Sequence, residues 1–159
     1  MREVLELLEA DSRLTPQEIA DRLGMGAEEV EAIIAEARAS RILMGYSAVV
    51  NWEQTSTPHV YAFISVSASP EHGTGFDGIA DYVSKFDEVH SVYLMSGAFD
   101  LQVVVEGDDF RDVARFVAEK LAPIPGVTGT ATSFVLKTYK LEGLPAQESQ
   151  PDDRLAVTP

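Results

Sequence analysis

The stretch Val89 to Val105, VHSVYLMSGAFDLQVVV, allows few folds. Two strand-like runs, Val89 to Met95 and Phe99 to Val105, meet at Ser96-Gly97-Ala98-Phe99-Asp100. That break is so short that the runs must return alongside each other as antiparallel neighbours. In the second run Phe99, Leu101, Val103 and Val105 fall on one face. Asp100, Gln102 and Glu106 fall on the other, beside Val104. One face therefore goes to a core and the other stays polar. Gly97 can take a positive φ, and its missing side chain leaves backbone N–H groups open beside the Asp100 carboxylate, a pairing suited to an ammonium or a carboxylate group. A G-x-x-D turn alone serves equally as a bare turn with a solvated acid.

The rest of the chain builds around this hairpin. Residues 2 to 10 carry Val4, Leu5, Leu7 and Leu8 among acids, as a short amphipathic helix does. Thr15-Pro16-Gln17-Glu18 is a capping box that starts a second helix at Pro16, which ends at Gly24. A third helix over about Ala27 to Ala39 places Val30, Ile33, Ile34 and Ala37 on one stripe. Three short helices with a glycine turn between the last two predict a helix-turn-helix unit. Ile42 to Trp52 reads as extended, and Gln54 to Pro58 as a linker. The remainder reads βαββαβ: a strand over His59 to Ser67, a helix over Phe76 to Phe86, and the hairpin. A helix over Asp109 to Leu121, capped by Asp108, and a last strand over Val127 to Leu141 complete it. The predicted class is α+β: an N-terminal winged or helix-turn-helix domain followed by a ferredoxin-like βαββαβ domain. The boundaries are 1–51 for the first domain with its linking strand, 52–58 for the linker, 59–141 for the second, and 142–159 for a mobile acidic tail.

Composition excludes several functions. With no cysteine, disulfides and thiolate metal sites are impossible. His59, His72 and His90 lack metal-ligand spacing, and no Gly-rich phosphate loop or nucleophile elbow occurs, so no metal, cofactor or enzymatic activity is expected. The charged N-terminus and the lack of a long apolar run point to a cytoplasmic protein without membrane contact. The net charge is −14. The first 51 residues carry five basic against ten acidic side chains, and no segment is basic. Such a field repels phosphate backbones.

The order of motifs is nevertheless specific. Gly45-Tyr46-Ser47-Ala48-Val49-Val50 follows the helix-turn-helix, Ser96-Gly97-Ala98-Phe99-Asp100 forms the hairpin, and Pro125-Gly126-Val127-Thr128-Gly129-Thr130-Ala131-Thr132 opens the last strand. Together they resemble the Lrp/AsnC family of feast/famine transcriptional regulators over nearly the whole chain. The resemblance implies a DNA-binding regulator that responds to a small effector such as an amino acid. It implies a protein that pairs with itself through the βαββαβ module, as dimers often assembled into rings. Its effector pocket, between neighbouring modules, maps onto Ser96, Gly97, Ala98, Phe99, Asp100, Thr130 and Thr132. Its third helix would read the major groove of double-stranded DNA.

One departure stands out. Val30-Glu31-Ala32-Ile33-Ile34 aligns with the family's Val-x-Arg-Arg-Ile, so Ala32 and Ile33 replace two arginines. Glu28, Glu29, Glu31 and Glu36 crowd the same helix, leaving Arg13, Arg22, Arg38, Ser40 and Arg41 as candidate DNA contacts. An alternative is thus a small-molecule sensor or assembly protein that keeps the dimerising module and has lost DNA binding. A tetrapyrrole decarboxylase would need a basic pocket that the chain does not offer.

Overall fold

The computed structural model describes residues 1–57, 59–70, 73 and 75–147, in two compact units, residues 1–49 and 50 onward. The first unit is three helices: α1 (Arg2–Ala10), α2 (Pro16–Leu23) and α3 (Ala27–Ala39). At the start of α2 the capping box forms: Glu18 N–H donates to Thr15 Oγ1 at 3.3 Å, and Thr15 N–H donates to Glu18 Oε2 at 2.8 Å. Gly24 closes the helix in the left-handed conformation at φ 68°. Val4, Leu8, Ile19, Ala20 and Val30 fill the small core between the helices, with Leu7, Leu23, Ile33 and Ile34 half-buried around it. No wing follows, since residues 1–49 contain no strand. The predicted linking strand likewise has no ladder within the chain over 43–51. The Leu43 N–H instead closes onto the Ala37 carbonyl, and Met44 is 86% exposed.

The second unit is the expected βαββαβ: β1 (Val60–Ala68), α4 (Asp77–Val83), β2 (Val89–Leu94), β3 (Leu101–Gly107), α5 (Phe110–Phe116) and β4 (Val127–Phe134). The sheet order is β2-β3-β1-β4, all antiparallel. Ala62, Ile64 and Val66 of β1 oppose Val105, Val103 and Leu101 of β3, and all six are fully buried against α4 and α5. A partner directly opposite shares its face, so this row is the core and the alternate row is the open face. The predicted alternation of the hairpin is therefore realised, although β3 starts at Leu101 and leaves Phe99 in the turn.

Elsewhere the local chemistry moves the boundaries. The cap of α5 is Asp109 rather than Asp108: its Oδ1 accepts from the Arg111 and Asp112 N–H groups at 2.7 and 2.9 Å. The helix expected to run to Leu121 widens into a π-turn at Val117–Leu121, where the Ala122 N–H reaches back to the Val117 carbonyl. Residues 52–54, read as part of a linker, form a 3-10 turn. The last strand stops at Phe134, whose ring stands edge-on to Phe110 at 4.8 Å. Further on, β5 (Lys140–Leu141) and β6 (Leu144–Pro145) form a separate hairpin where a mobile tail was expected to begin. Glu142 and Gly143 make its turn, both with positive φ. The rest of that tail, 148–159, lies outside the described residues, as does His72.

One glycine fixes how the sheet meets its helix. Gly126 has φ 90°, and a Cβ there would lie 2.8 Å from Ile79 Cδ1 of α4. Ile79 is itself buried in the core, so its side-chain tip can give way only by repacking there. Gly126→Ala should cost about 1–3 kcal/mol, from left-handed strain and overpacking together, measurable as a lowered urea midpoint. An unchanged midpoint would show that α4 tolerates displacement.

Candidate effector site and DNA-reading face

The hairpin turn sits at the end of the sheet where β1 runs out. The Asp100 N–H donates to the Val66 carbonyl at 3.0 Å, and the Met95 N–H donates to the Asp100 carbonyl at 2.8 Å. Asp100 Oδ2 accepts the Ala68 N–H at 2.9 Å. One carboxylate oxygen thus ties the turn to the last residue of β1 and fixes where the group points. Gly97 behaves differently from expectation. Its φ is not in the left-handed region, and a Cβ on it would meet nothing within 4 Å. The turn itself does not require glycine there; the missing side chain leaves open space outside the chain.

Thr130 and Thr132 do not join this turn within one chain. They oppose Val66 and Ile64 across the β1–β4 ladder. They therefore lie on the helix-covered side of an edge strand. Since β1 stands between β4 and β3, Thr130 is two strand spacings, roughly 10 Å, from the start of β3. Sequence alternation alone does not reveal which face of a strand the helices will cover.

A second group of polar residues, not singled out as a site from sequence, gathers on the open face. The Glu106 carboxylate lies 2.9 Å from His90 Nδ1 and 3.7 Å from His59 Nε2. Tyr61 stands edge-on to His59, with ring centroids 4.6 Å apart, and at 6.2 Å from His90. Burial, reinforced by the Glu106 carboxylate nearby, pushes the Tyr61 phenol up to about 12. Further along the same face, Ser65 Oγ bonds Gln102 Oε1 at 3.2 Å. Phe63 and Tyr93, on that face too, are 44% and 54% exposed. The period-two pattern carried part of the signal, because Gln102 and Glu106 share one parity on β3, whereas Tyr61 joins them only through the β1–β3 register. Among the described residues no group of acids and histidines is placed to hold a metal.

In the first unit the outward face of α3, opposite the buried Val30 and Ala37, presents Glu28, Ala32, Ala35 and Ala39, with Glu31 and Glu36 on its flanks. Ala32 is exposed, whereas Ile33 turns half-buried toward the core. Of the two positions aligned with family arginines, only one therefore faces outward. The basic candidates lie at the ends. Arg13 forks onto Asp11 at 2.9 Å through both Nε and a terminal nitrogen. The guanidinium draws the Asp11 carboxyl down to about 2. Arg22 is in the last turn of α2. Arg38 lies 5.2 Å from the Tyr46 ring centroid, Ser40 Oγ donates to the Glu36 carbonyl at 2.8 Å, and Arg41 has φ 56°. Arg38, Ser40 and Arg41 thus cluster at the C-terminal end of α3.

A family model of the Lrp/AsnC ligand-binding domain matches residues 61–145, more than half of the chain. The chain belongs to the Lrp/AsnC family. It is 40% identical over 158 residues to the uncharacterized HTH-type transcriptional regulator YugG of Bacillus subtilis, covering 99% of this chain and 95% of that one. It is 26% identical to the proline dehydrogenase transcriptional activator of Rhizobium radiobacter, covering 89% and 90% of the two chains. Among solved structures, the transcriptional regulator NMB0573 of Neisseria meningitidis, in complex with L-Met, superposes with a TM-score of 0.68 at 26% identity. That match covers 87% of this chain and 89% of the other. The leucine response regulatory protein of Mycobacterium tuberculosis gives 0.74 at 23% identity, over 89% and 93% of the chains, and shows the shared fold. This Lrp/AsnC protein is a ligand-responsive transcriptional regulator with an N-terminal helix-turn-helix and a ferredoxin-like domain, and it is not an enzyme. Among the described residues no helix is long and apolar enough to cross a membrane.

The Tyr61 environment gives a pH signature. A phenol whose folded pKa is raised keeps its full stabilisation below the unfolded value of about 10, and loses it as pH rises toward 12. Denaturation between pH 9 and 11 should show the parent losing stability faster than Tyr61→Phe, with the two slopes alike at pH 7 to 8. Parallel slopes throughout would place the hydroxyl in water.

Proposed function

We propose that this regulator senses an amino acid at the Ser96–Asp100 turn and binds double-stranded DNA through paired helix-turn-helix heads. It acts in the cytoplasm as a dimer or a ring of dimers. The observation that carries the sensing half is the turn itself. Gly97 leaves open space that the turn does not need, next to N–H groups of Gly97 and Ala98 and to a carboxylate anchored by the Ala68 N–H. Backbone donors suit the ligand carboxylate and Asp100 suits its ammonium, while Phe99 offers an apolar wall. The methionine held by the Neisseria relative supports an amino acid as the effector class. Thr130 and Thr132 take part when a neighbouring module brings them to a turn other than their own. The linking segment 43–51, unpaired within one chain, is free to pair with its two-fold mate.

DNA affinity in this reading comes from Arg13, Arg22, Arg38, Arg41 and Ser40 on phosphates, against the acids of α3. The domain boundaries proposed are 1–51, 52–58 and 59–141.

Thermal-shift screening against the standard amino acids tests the sensing half. A ligand at a hundredfold its Kd adds about 2.7 kcal/mol of apparent stability, a rise of about 5–10 °C in Tm for a chain of this length. Asp100→Asn keeps an acceptor for the Ala68 N–H but loses the charge. It should abolish the shift while leaving the unliganded Tm within about 2 °C. A full shift in that variant would remove Asp100 from ligand recognition. For the DNA half, the parent should retard its own upstream region only at low salt. Ala32→Arg, at the outward arginine position, should tighten that binding about tenfold or more. No retardation by the parent at any salt, with gain in the variant, would favour the sensor that has lost DNA binding.

A further inference from the structure

Where the chain enters the second unit, residues 51–54 do more than connect. Asn51 Nδ2 donates to the Ala146 carbonyl at 2.8 Å, and Glu53 Oε1 accepts the Thr138 N–H at 2.7 Å. The partners lie 95 and 85 residues away in sequence, one on each side of the β5–β6 hairpin. Between them Trp52 lies tilted against His59, with centroids 5.5 Å apart and planes 34° off parallel, just before β1 begins. The turn is closed by Gln54 N–H to Asn51 O at 3.2 Å and Thr55 N–H to Trp52 O at 3.0 Å.

Neither partner is stable by itself. The hairpin has two residues per strand and no ladder to the main sheet. An isolated ribbon of this size is marginal at best in water. A 3-10 turn of three residues is no better. Each supplies what the other lacks: the hairpin leaves the Thr138 N–H and the Ala146 carbonyl to side chains of the turn. Two marginal elements that complete each other's hydrogen bonds order together or not at all.

We propose that residues 51–54 and 138–146 form a two-state strap. When closed, it fixes the point from which the chain leaves for the helix-turn-helix head; when open, it frees that tether. A contact on the C-terminal hairpin would thereby reach the DNA-binding unit through the order of the strap. The coupling to the heads rests on the paired-head reading above, whereas the strap itself does not.

Hydrogen exchange on the full chain tests it. The double variant Asn51→Ala with Glu53→Ala should speed exchange about tenfold or more at the amides of residues 140–144 and 146, remote in sequence from either change, while the β1 and β3 amides keep their protection. Gly143→Val, strained at φ 83°, should conversely speed exchange at Gln54 and Thr55. Glu53→Gln retains an acceptor oxygen and should stay within about twofold of the parent. Loosening confined to the altered segment, or equal exchange in parent and variants, would overturn the strap. The chain has no cysteine, so Ala10→Cys on exposed α1 gives a unique spin label. The distance distribution between labels in the oligomer should broaden in the double variant, and an unchanged width would overturn the coupling to the heads. Absence of any label-to-label distance would instead sink the paired-head reading, with hydrogen exchange still deciding the strap.

Discussion

Burial of one face of strand β1 is the constraint on which the second unit depends. Ala62, Ile64 and Val66 lie in the middle of the sheet, with β3 on one side and β4 on the other, and are sealed by the two helices. Because side chains alternate, sinking these three raises Tyr61, Phe63 and Ser65 on the opposite face, where no helix follows. The polar group around Glu106 and the position of the Asp100 turn are both consequences of that register. A slip of one residue would send Ile64 to the open face and Phe63 into the core.

Much of this was legible in the sequence because its signals are local. Thr15 and Glu18 are three residues apart and meet in the capping box. Leu101, Val103 and Val105 alternate and are buried together. What was not legible depended on distant partners. Asp108 and Asp109 are both competent caps, and only the helix axis set by packing chooses Asp109. Thr130 and Thr132 lie apart from the Asp100 turn of their own chain because the strand order inserts β1 between them, and a sequence does not print strand order. Gly97 could have taken a positive φ, yet in the turn it does not. The pairing of the 3-10 turn with the hairpin beyond Tyr139 was invisible for the same reason: the hydrogen bonds that join them span 85 and 95 residues.

The first unit carries an opposition between stability and charge. Glutamates in the first turn of α3 suit the positive end of the helix dipole, and alanines along its outward face favour the helix strongly. The same choices empty that face of the donors that would reach guanine or phosphate. The candidate DNA-contacting cations lie elsewhere, and two of them are engaged: Arg13 with Asp11, and Arg38 over Tyr46. Engaging DNA would thus exchange existing contacts for new ones, which reduces the net gain of each.

Strand β4 forms one border of the sheet, and from Val127 to Phe134 it contains no lysine, no acid and no proline. Soluble proteins usually blunt such a border with a charge or a proline, because bare backbone N–H and C=O groups invite any extended chain to add itself. A protomer with this border uncovered is a template for runaway β-addition. An oligomer that covered this edge would do more than bring subunits together: it would also keep a sticky border from growing into an aggregate.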